Sequence, residues 1–423
     1  MTDRNSIIGK VDWPLLLMFF ALVLIGWLSI YSAGMSEDYH PIYDFSKFCG
    51  KQMMWIGISL AVGFVILLLD AKFFDAFAFW IYALVVVLLI VVLVYGRATK
   101  GATSWIDFGA GVKLQPSEFA KLGTALALAS FLGRQDADLR NRNTRLGVYL
   151  IIAIPTALVL SQHDAGSALV FASFIFLLYR EGMPYAGAVM IMAVVAAAVF
   201  VLTLLWSPKV MCIVIGSLFV LTLAYYLYYR KKGIWTMVAL FAVYFVFVFA
   251  VDYVFYNVLE THQRLRIEVI LGLNDDIKNV GYNLHQSRIA IGSGGFWGKG
   301  FLQGTQTKYD FVPEQHTDFI FCTIGEEAGF KGSLAVILLY VGMLVRIVKL
   351  AERQKLAFSR IYGYAIAGII FVHVAINIGM TIGLVPVIGI PLPFLSYGGS
   401  SLLAFTIMLA IFVKQDANRL KIL

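Results

Sequence analysis

Long apolar runs alternate with short polar punctuation along almost the whole chain, a pattern that predicts helices of membrane-spanning length. Runs bounded by charge, Gly or Pro fall at Pro14–Ala33, Met53–Leu69, Ala76–Tyr95, Ser117–Leu132, Leu146–Leu160, Gly166–Tyr179, Pro184–Trp206, Val210–Tyr229, Ile234–Tyr256, Gly332–Val348, Ile361–Gly383 and Gly399–Val413. A hydrocarbon layer about 30 Å thick takes about 20 helical residues to cross. The twelve runs therefore predict an all-α polytopic membrane protein. The shortest of them must borrow flanking polar residues or be covered by protein. The segment 257–317 between the ninth and tenth runs is too long for an idle connector and reads as one large outer loop.

Lys and Arg placement gives the orientation. Arg140, Arg142 and Arg145, the turn Arg230-Lys231-Lys232, and the set from Arg346 to Arg360 all fall on the side of the N-terminus. Both termini are expected in the cytoplasm, with 257–317 outside. Composition agrees: 60% of residues are hydrophobic and 14% charged, against roughly 25% charged in soluble domains. The net charge of +8 is thus read through its placement and not as a nucleic-acid signal. The run Pro14–Ala33 is too long for a signal-peptide core and reads as the first span. Cys49, Cys212 and Cys322 lie far apart, with neither metal-ligand nor disulfide spacing.

Chemistry concentrates in Val312–Ala328, where Glu314, His316 and Asp318 precede an apolar run that ends in Glu326 and Glu327. Acids bordering a membrane are costly and are usually paired or functional. Asp318 is either a helix cap or a reactive carboxylate. Three further stretches stand out. Trp105 lies in a mixed stretch, 96–116, that suits the membrane interface. It leads to Pro116 at a helix start, with Glu118 and Lys121 on one face as either a structural or a functional pair. A break at Ser161–Ser167 reads as a tight outer turn. Ile291–Gly300 is Gly-rich but lacks a Walker A pattern, since Ser293 and Gly300 stand where Gly and Ser or Thr are required. It reads as a flexible turn, or as a nest of N–H groups that holds a pyrophosphate with Arg288 or Lys299. Near the C-terminus, Gly383–Ser401 carries Pro386, Pro391 and Pro393 and cannot run as a regular helix. Such backbone survives at membrane depth only where protein or a water-filled cavity covers it.

Trp105 with Gln115-Pro-Ser-Glu-Phe-Ala-Lys121, Gln286-Ser-Arg-Ile-Ala-Ile-Gly-Ser-Gly-Gly295, Pro313-Glu-Gln-His-Thr-Asp-Phe-Ile-Phe321 and Pro391-Leu-Pro-Phe-Leu-Ser-Tyr-Gly-Gly-Ser-Ser401 resemble the shape, elongation, division and sporulation (SEDS) family of bacterial cell-wall polymerases. The likeness covers almost the whole chain, and Gly304-Thr-Gln-Thr307 is similar to the elongation branch rather than the division branch. The resemblance implies a peptidoglycan glycosyltransferase in the cytoplasmic membrane. It would polymerise lipid II at the outer face, during elongation and shape maintenance, with a class B penicillin-binding protein as transpeptidase partner. It implies Asp318 as the essential acid and general base, Trp105 as a functional aromatic, and Glu118 with Lys121 as the family's polar pair. It also implies a ten-span core, so that residues 207–256 would be an extra hairpin in a single domain 1–423.

Transfer of a lipid-linked sugar needs a base for the acceptor hydroxyl and cations for the departing pyrophosphate. Lys121, Arg288, Lys299 and Lys308 are the candidate cations, with His316 beside the acid. A divalent cation is left open, since no dedicated ligand cluster declares one. A lipid II flippase would string ionisable residues through the membrane, whereas here they gather on the outer side. A non-catalytic scaffold of the cell-wall complex would need no acid at Asp318.

Overall fold

The computed structural model describes residues 11–35, 41–99, 102–107, 113–206, 208–229, 234–259, 261–273, 281–309 and 311–419. It divides into two compact units, Met1–Pro184 with Asn283–Leu423, and Tyr185–Tyr282.

The first unit opens with α1 (Trp13–Ala33), α2 (Phe48–Leu68), α3 (Ala71–Ala76) and α4 (Ala78–Tyr95). A small antiparallel sheet follows, β1 (Arg97–Thr99), β2 (Ala102–Asp107) and β3 (Lys113–Leu114), in that order. Next come α5 (Pro116–Leu132), α6 (Arg142–Ser161), α7 (Ala165–Val170), a 3₁₀ turn at Phe171–Ser173, and α8 (Phe174–Arg180). The second unit holds α9 (Ala186–Trp206), α10 (Pro208–Tyr229), α11 (Ile234–Asn257) and α12 (Thr261–Ile270). The first unit then resumes with α13 (Tyr282–Gly294), α14 (Thr305–Lys308), α15 (Ile320–Glu352), α16 (Ala357–Ile382) and α17 (Gly399–Asn418).

Each predicted span falls mainly on helix, although Ala76–Tyr95 is interrupted at Phe77 and Gly166–Tyr179 is divided among α7, the 3₁₀ turn and α8. Eight helices of the described residues, α1, α2, α4, α6, α9, α15, α16 and α17, are long and apolar enough to cross a membrane. The segment 257–317 is not one loop: α12, α13 and α14 interrupt it. The run read as Gly332–Val348 is the second part of the longer α15. Its first turns escaped the hydropathy pattern because Glu326 and Glu327 sit inside them, buried. The proposed hairpin α10–α11 packs with α9, where Met211, Ile215 and Val248 form a small core with Val199 and Leu202.

α5 is the inner member of the first unit. Pro116 at its start needs no N–H partner, and Ala120, Gly123, Thr124 and Ala127 let neighbours approach closely, as small residues do in membrane helices. Its residues from Leu122 to Ala129 are all buried.

One end of this unit is fastened by ion pairs. Asp12 caps α1 through Leu15 N–H and accepts Arg346 Nε at 3.0 Å and Nη2 at 2.7 Å. Asp416 accepts Arg353 Nε at 2.9 Å, Gln354 Nε2 at 2.7 Å and Arg419 Nη1 at 3.2 Å. Arg360 grips Glu181 and Arg180 grips Glu352, each with two bonds. Burial alone would raise the Asp12 pKa, but the Arg346 and Leu15 hydrogen bonds and the charges of Arg346 and Arg353 outweigh it and hold the carboxyl below its usual range.

Candidate active site

The opposite end gathers the sequence motifs, and its frame is the irregular segment 383–398. Two of its prolines, Pro391 and Pro393, have no N–H to give, so other elements must satisfy its carbonyls. Tyr340 of α15 donates its hydroxyl to the Pro393 carbonyl, and Phe394, at φ 67, is buried against Phe19 of α1 and Phe405 of α17. Leu395 lies so near α1 that a Cβ on Gly26 would sit 2.6 Å from its Cα. Only glycine fits there.

Residues 316–318 dock on this frame through backbone bonds. Tyr397 N–H donates to the His316 carbonyl at 2.8 Å, and Ser396 Oγ donates to the Thr317 carbonyl at 2.6 Å. Asn377 Nδ2 donates to the Asp318 carbonyl at 2.9 Å. Asp318 is half-buried just before α15, and its carboxylate lies beside Gly389, where a Cβ would be 3.4 Å from Oδ2. The His316 ring packs on Phe48, 4.7 Å between centroids, and Phe48 in turn meets Tyr397.

Glu118 and Lys121 are joined as expected, Nζ to Oε1 at 2.8 Å, but both are fully enclosed. Lys121 also donates to His373 Nε2 at 2.8 Å. An ammonium has no lone pair to accept with, so Nε2 is the acceptor and Nδ1–H donates to the Pro391 carbonyl at 3.0 Å. The trio forms a strut from α5 through α16 to the Pro-rich frame. Lys121 is thereby held inside the protein rather than at an open surface.

Lys299 is also engaged. Its Nζ bonds Glu326 Oε1 at 2.6 Å and Thr305 Oγ1 at 2.7 Å. Glu326, wholly buried, further accepts from the backbone N–H groups of Thr305, Gln306 and Thr307 at 2.8 to 2.9 Å and so caps α14. Glu327 takes Leu302 N–H and the Ser32 hydroxyl. Gln315 Nε2 pins the other side of α14 by bonding the carbonyls of Thr307 and Ala33. Of the four candidate cations, Arg288 is exposed and Lys308 half-buried, and neither forms an ion pair among the described residues. Arg288 Cδ lies beside Gly383, at the start of the Pro-rich segment.

The Gly-rich stretch is neither a flexible turn nor a phosphate nest. It fills a break in α15 at Gly329, where φ is 64 and ψ −160. Lys299 and Gly300 donate their N–H groups to the carbonyls of Glu326 and Glu327, while Phe330 and Lys331 donate to Gly295 and Phe296. A Cβ at Gly294 would fall 2.0 Å from the Gly325 oxygen, and one at Gly298 2.1 Å from the Glu327 oxygen. Those N–H groups are spent on the protein itself.

Trp105 is half-buried on β2 opposite Arg97. The sheet joins the same end of the unit through Ser400, which donates to the Lys113 carbonyl and accepts Gln115 N–H. The break 161–167 is more than a turn: Asp164 caps α7 through Ser167 N–H and accepts Gln115 Nε2 and Ser117 Oγ. Sequence reasoning passed over Asp164, His373 and Asn377. Among the described residues no group of three or more His, Cys, Asp or Glu could hold a metal ion.

The FtsW, RodA and SpoVE family profile, described as cell cycle protein, matches residues 13–214 and 188–420. The peptidoglycan glycosyltransferase MrdB of Escherichia coli (strain K12) is 32% identical over 429 residues, covering 99% of this chain and 98% of its own. The peptidoglycan glycosyltransferase RodA of Treponema pallidum (strain Nichols) is 33% identical over 441 residues, covering 98% and 99%. Among solved structures, a chain from work on the structural coordination of polymerization and crosslinking by a peptidoglycan synthase complex superposes with TM-score 0.70. It is 26% identical and covers 97% of this chain and 98% of its own. The rod shape determining protein RodA of Thermus thermophilus gives TM-score 0.60 at 25% identity, covering 97% of each chain.

Proposed function

The chain belongs to the FtsW, RodA and SpoVE family of cell cycle proteins and is a peptidoglycan glycosyltransferase; from that premise we propose a specific reaction and the residues that carry it. The substrate is lipid II, an undecaprenyl-pyrophosphate-linked disaccharide peptide, polymerised during elongation and shape maintenance. The acceptor sugar hydroxyl attacks the anomeric carbon of the lipid-linked donor. Asp318 takes the hydroxyl proton, the new glycosidic C–O bond forms, and the bond from the anomeric carbon to the pyrophosphate oxygen breaks. The lipid pyrophosphate leaves with the bonding pair.

One observation carries this reading: the Asp318 carboxylate sits half-buried beside Gly389, on a loop held by its own backbone to a fixed wall. A base must be fixed within reach of one proton. Arg288 and Lys308 are the cations proposed for the pyrophosphate, because Lys121 and Lys299 are already neutralised by Glu118 and Glu326. Trp105, on its sheet, and His316, against Phe48, complete the proposed substrate surface.

The protein is a multi-pass membrane protein. We place the active site on the periplasmic face of the bacterial inner membrane, because the ion-paired end carries the arginines expected inside. A class B penicillin-binding protein transpeptidase is the proposed partner, supported by the likeness to the synthase complex. The hairpin 207–256 is proposed to lie outside the catalytic machinery. What supports this is that its helices pack with α9 around Met211, Ile215 and Val248 in a unit of their own.

The test is polymerisation of labelled lipid II by purified protein. Asp318→Asn keeps size and removes the base, so the rate should fall about 10²- to 10⁴-fold with folding and lipid II binding unchanged. Near-normal glycan synthesis by this variant would sink the assignment.

A further inference from the structure

The peptide of Asp318 is tied to its surroundings by a side chain from another helix. Asn377 Nδ2 has two hydrogens, and it gives one to the Asp318 carbonyl at 2.9 Å and the other to the Ile390 carbonyl at 2.7 Å. It therefore bridges the loop that carries the acid and the wall that faces it. One turn earlier, on the same face of α16, His373 Nδ1 donates to the Pro391 carbonyl at 3.0 Å. Both side chains are fully buried. Between them they hold two successive carbonyls of a segment whose Pro391 and Pro393 cannot hold it by backbone N–H bonds. The wall lies beside the acid at Gly389, φ 79, where a Cβ would be 3.4 Å from Asp318 Oδ2.

We propose that Asn377 and His373 are positioning residues that fix the spacing between the Asp318 carboxylate and the wall 389–391, with Lys121 holding the His373 ring by its other nitrogen. This inference rests on the reading of Asp318 as the base. It changes the meaning of the buried Glu118–Lys121 pair, which acts on the site through His373 and Pro391 and not through contact with substrate. A displacement of about 1 Å at a reacting group can cost about 10²-fold in rate. A clamp of this kind should therefore act on kcat and leave substrate binding alone.

The experiment uses the purified full-length protein and labelled lipid II, with kcat and KM measured separately. Asn377→Leu keeps the volume and gives no hydrogen, and its kcat should fall about 10- to 100-fold with KM within about twofold. At position 373, an Asn amide reaches where Nδ1 stood and can still donate to Pro391. A Gln amide reaches where Nε2 stood and can still accept from Lys121. His373→Asn should therefore retain about tenfold more kcat than His373→Gln. A wild-type kcat for Asn377→Leu overturns the inference, as does His373→Gln matching or exceeding His373→Asn. If Asn377→Leu does not fold, the ordering of the two His373 variants decides. Should Asp318→Asn keep its activity, the base itself is wrong. Should Asp318→Asn be dead while the α16 variants keep wild-type kcat, only the positioning inference falls.

Discussion

The two ends of the first unit solve the same problem, holding helix termini together, by different means. At the end around Asp12 and Asp416, arginines on α8, α15 and α16 reach carboxylates on neighbouring elements, and most of the charges stay partly in contact with solvent. At the other end the joints are buried and mostly neutral: Asn377 to two carbonyls, Ser396 and Tyr397 to the backbone of 316–317, and glycine backbone against glycine backbone at 294–329. Of its two ion pairs, Glu118–Lys121 is fully enclosed, whereas Lys299 stays partly exposed over the buried Glu326. Of the four candidate cations at this end, Lys121 and Lys299 are taken up by Glu118 and Glu326, which is why the proposed pyrophosphate contacts fall to Arg288 and Lys308.

If buried joints matter more than exposed ones, Glu326→Gln should have the largest effect on stability. The amide keeps one acceptor oxygen, so its NH₂ group must face N–H donors of 305–306 or of 307, and Lys299 loses its counter-charge. Removing one partner of a buried pair typically costs about 3–5 kcal/mol. The melting temperature in detergent should drop by many degrees, with a matching loss of folded yield, and an unchanged melting curve would erase the contrast between the two ends.

A smaller, pH-limited effect is expected at Asp12. Its folded pKa lies below the ordinary value of 3.8, so its contribution is fully present above that value and is lost as pH falls through the folded value. Asp12→Asn should lower the melting temperature at neutral pH, and the gap to wild type should close on acidification below about pH 4. A gap that stays constant to lower pH would show that the Arg346 pairing does not depend on the charge. The smallest effect is predicted for Arg180→Ala, since Arg180 and Glu352 are both about 40% exposed. Such pairs contribute less than about 1 kcal/mol, and less still in high salt. A shift as large as that of Glu326→Gln would mean the ion-paired end is the stronger lock.

Much of this was legible in the residues, for identifiable reasons. A helix of membrane length needs a run of apolar side chains, and each run read from the sequence falls mainly on helix. The first turns of α15 were missed because two adjacent glutamates end an apolar run on any hydropathy reading. What makes them tolerable is a set of donors at 299–307, distant in sequence. The i, i+3 spacing of Glu118 and Lys121 correctly implied a pair. Nothing in that spacing could say that His373, more than 250 positions away, takes another of the ammonium's three hydrogens. Asn377 and His373 are polar residues within an apolar run, with only their four-residue spacing as a signal. The Gly-rich stretch invited a ligand reading because glycine permits both anion nests and close backbone contact, and only the partner strand of atoms distinguishes them.

The break at Gly329 also bears on how substitution tolerance along this chain should be understood. At Gly294, Gly298 and Gly329 a single methyl group would collide with backbone atoms at 2.0 to 2.3 Å, and backbone, unlike a flexible side chain, has nowhere to retreat. Saturation mutagenesis would therefore mark these positions as no less intolerant than Asp318, although their constraint is clearance between two chain segments and not any step of sugar transfer. Ranked by tolerance alone, the molecule would seem to have a second active centre in a place that does no chemistry.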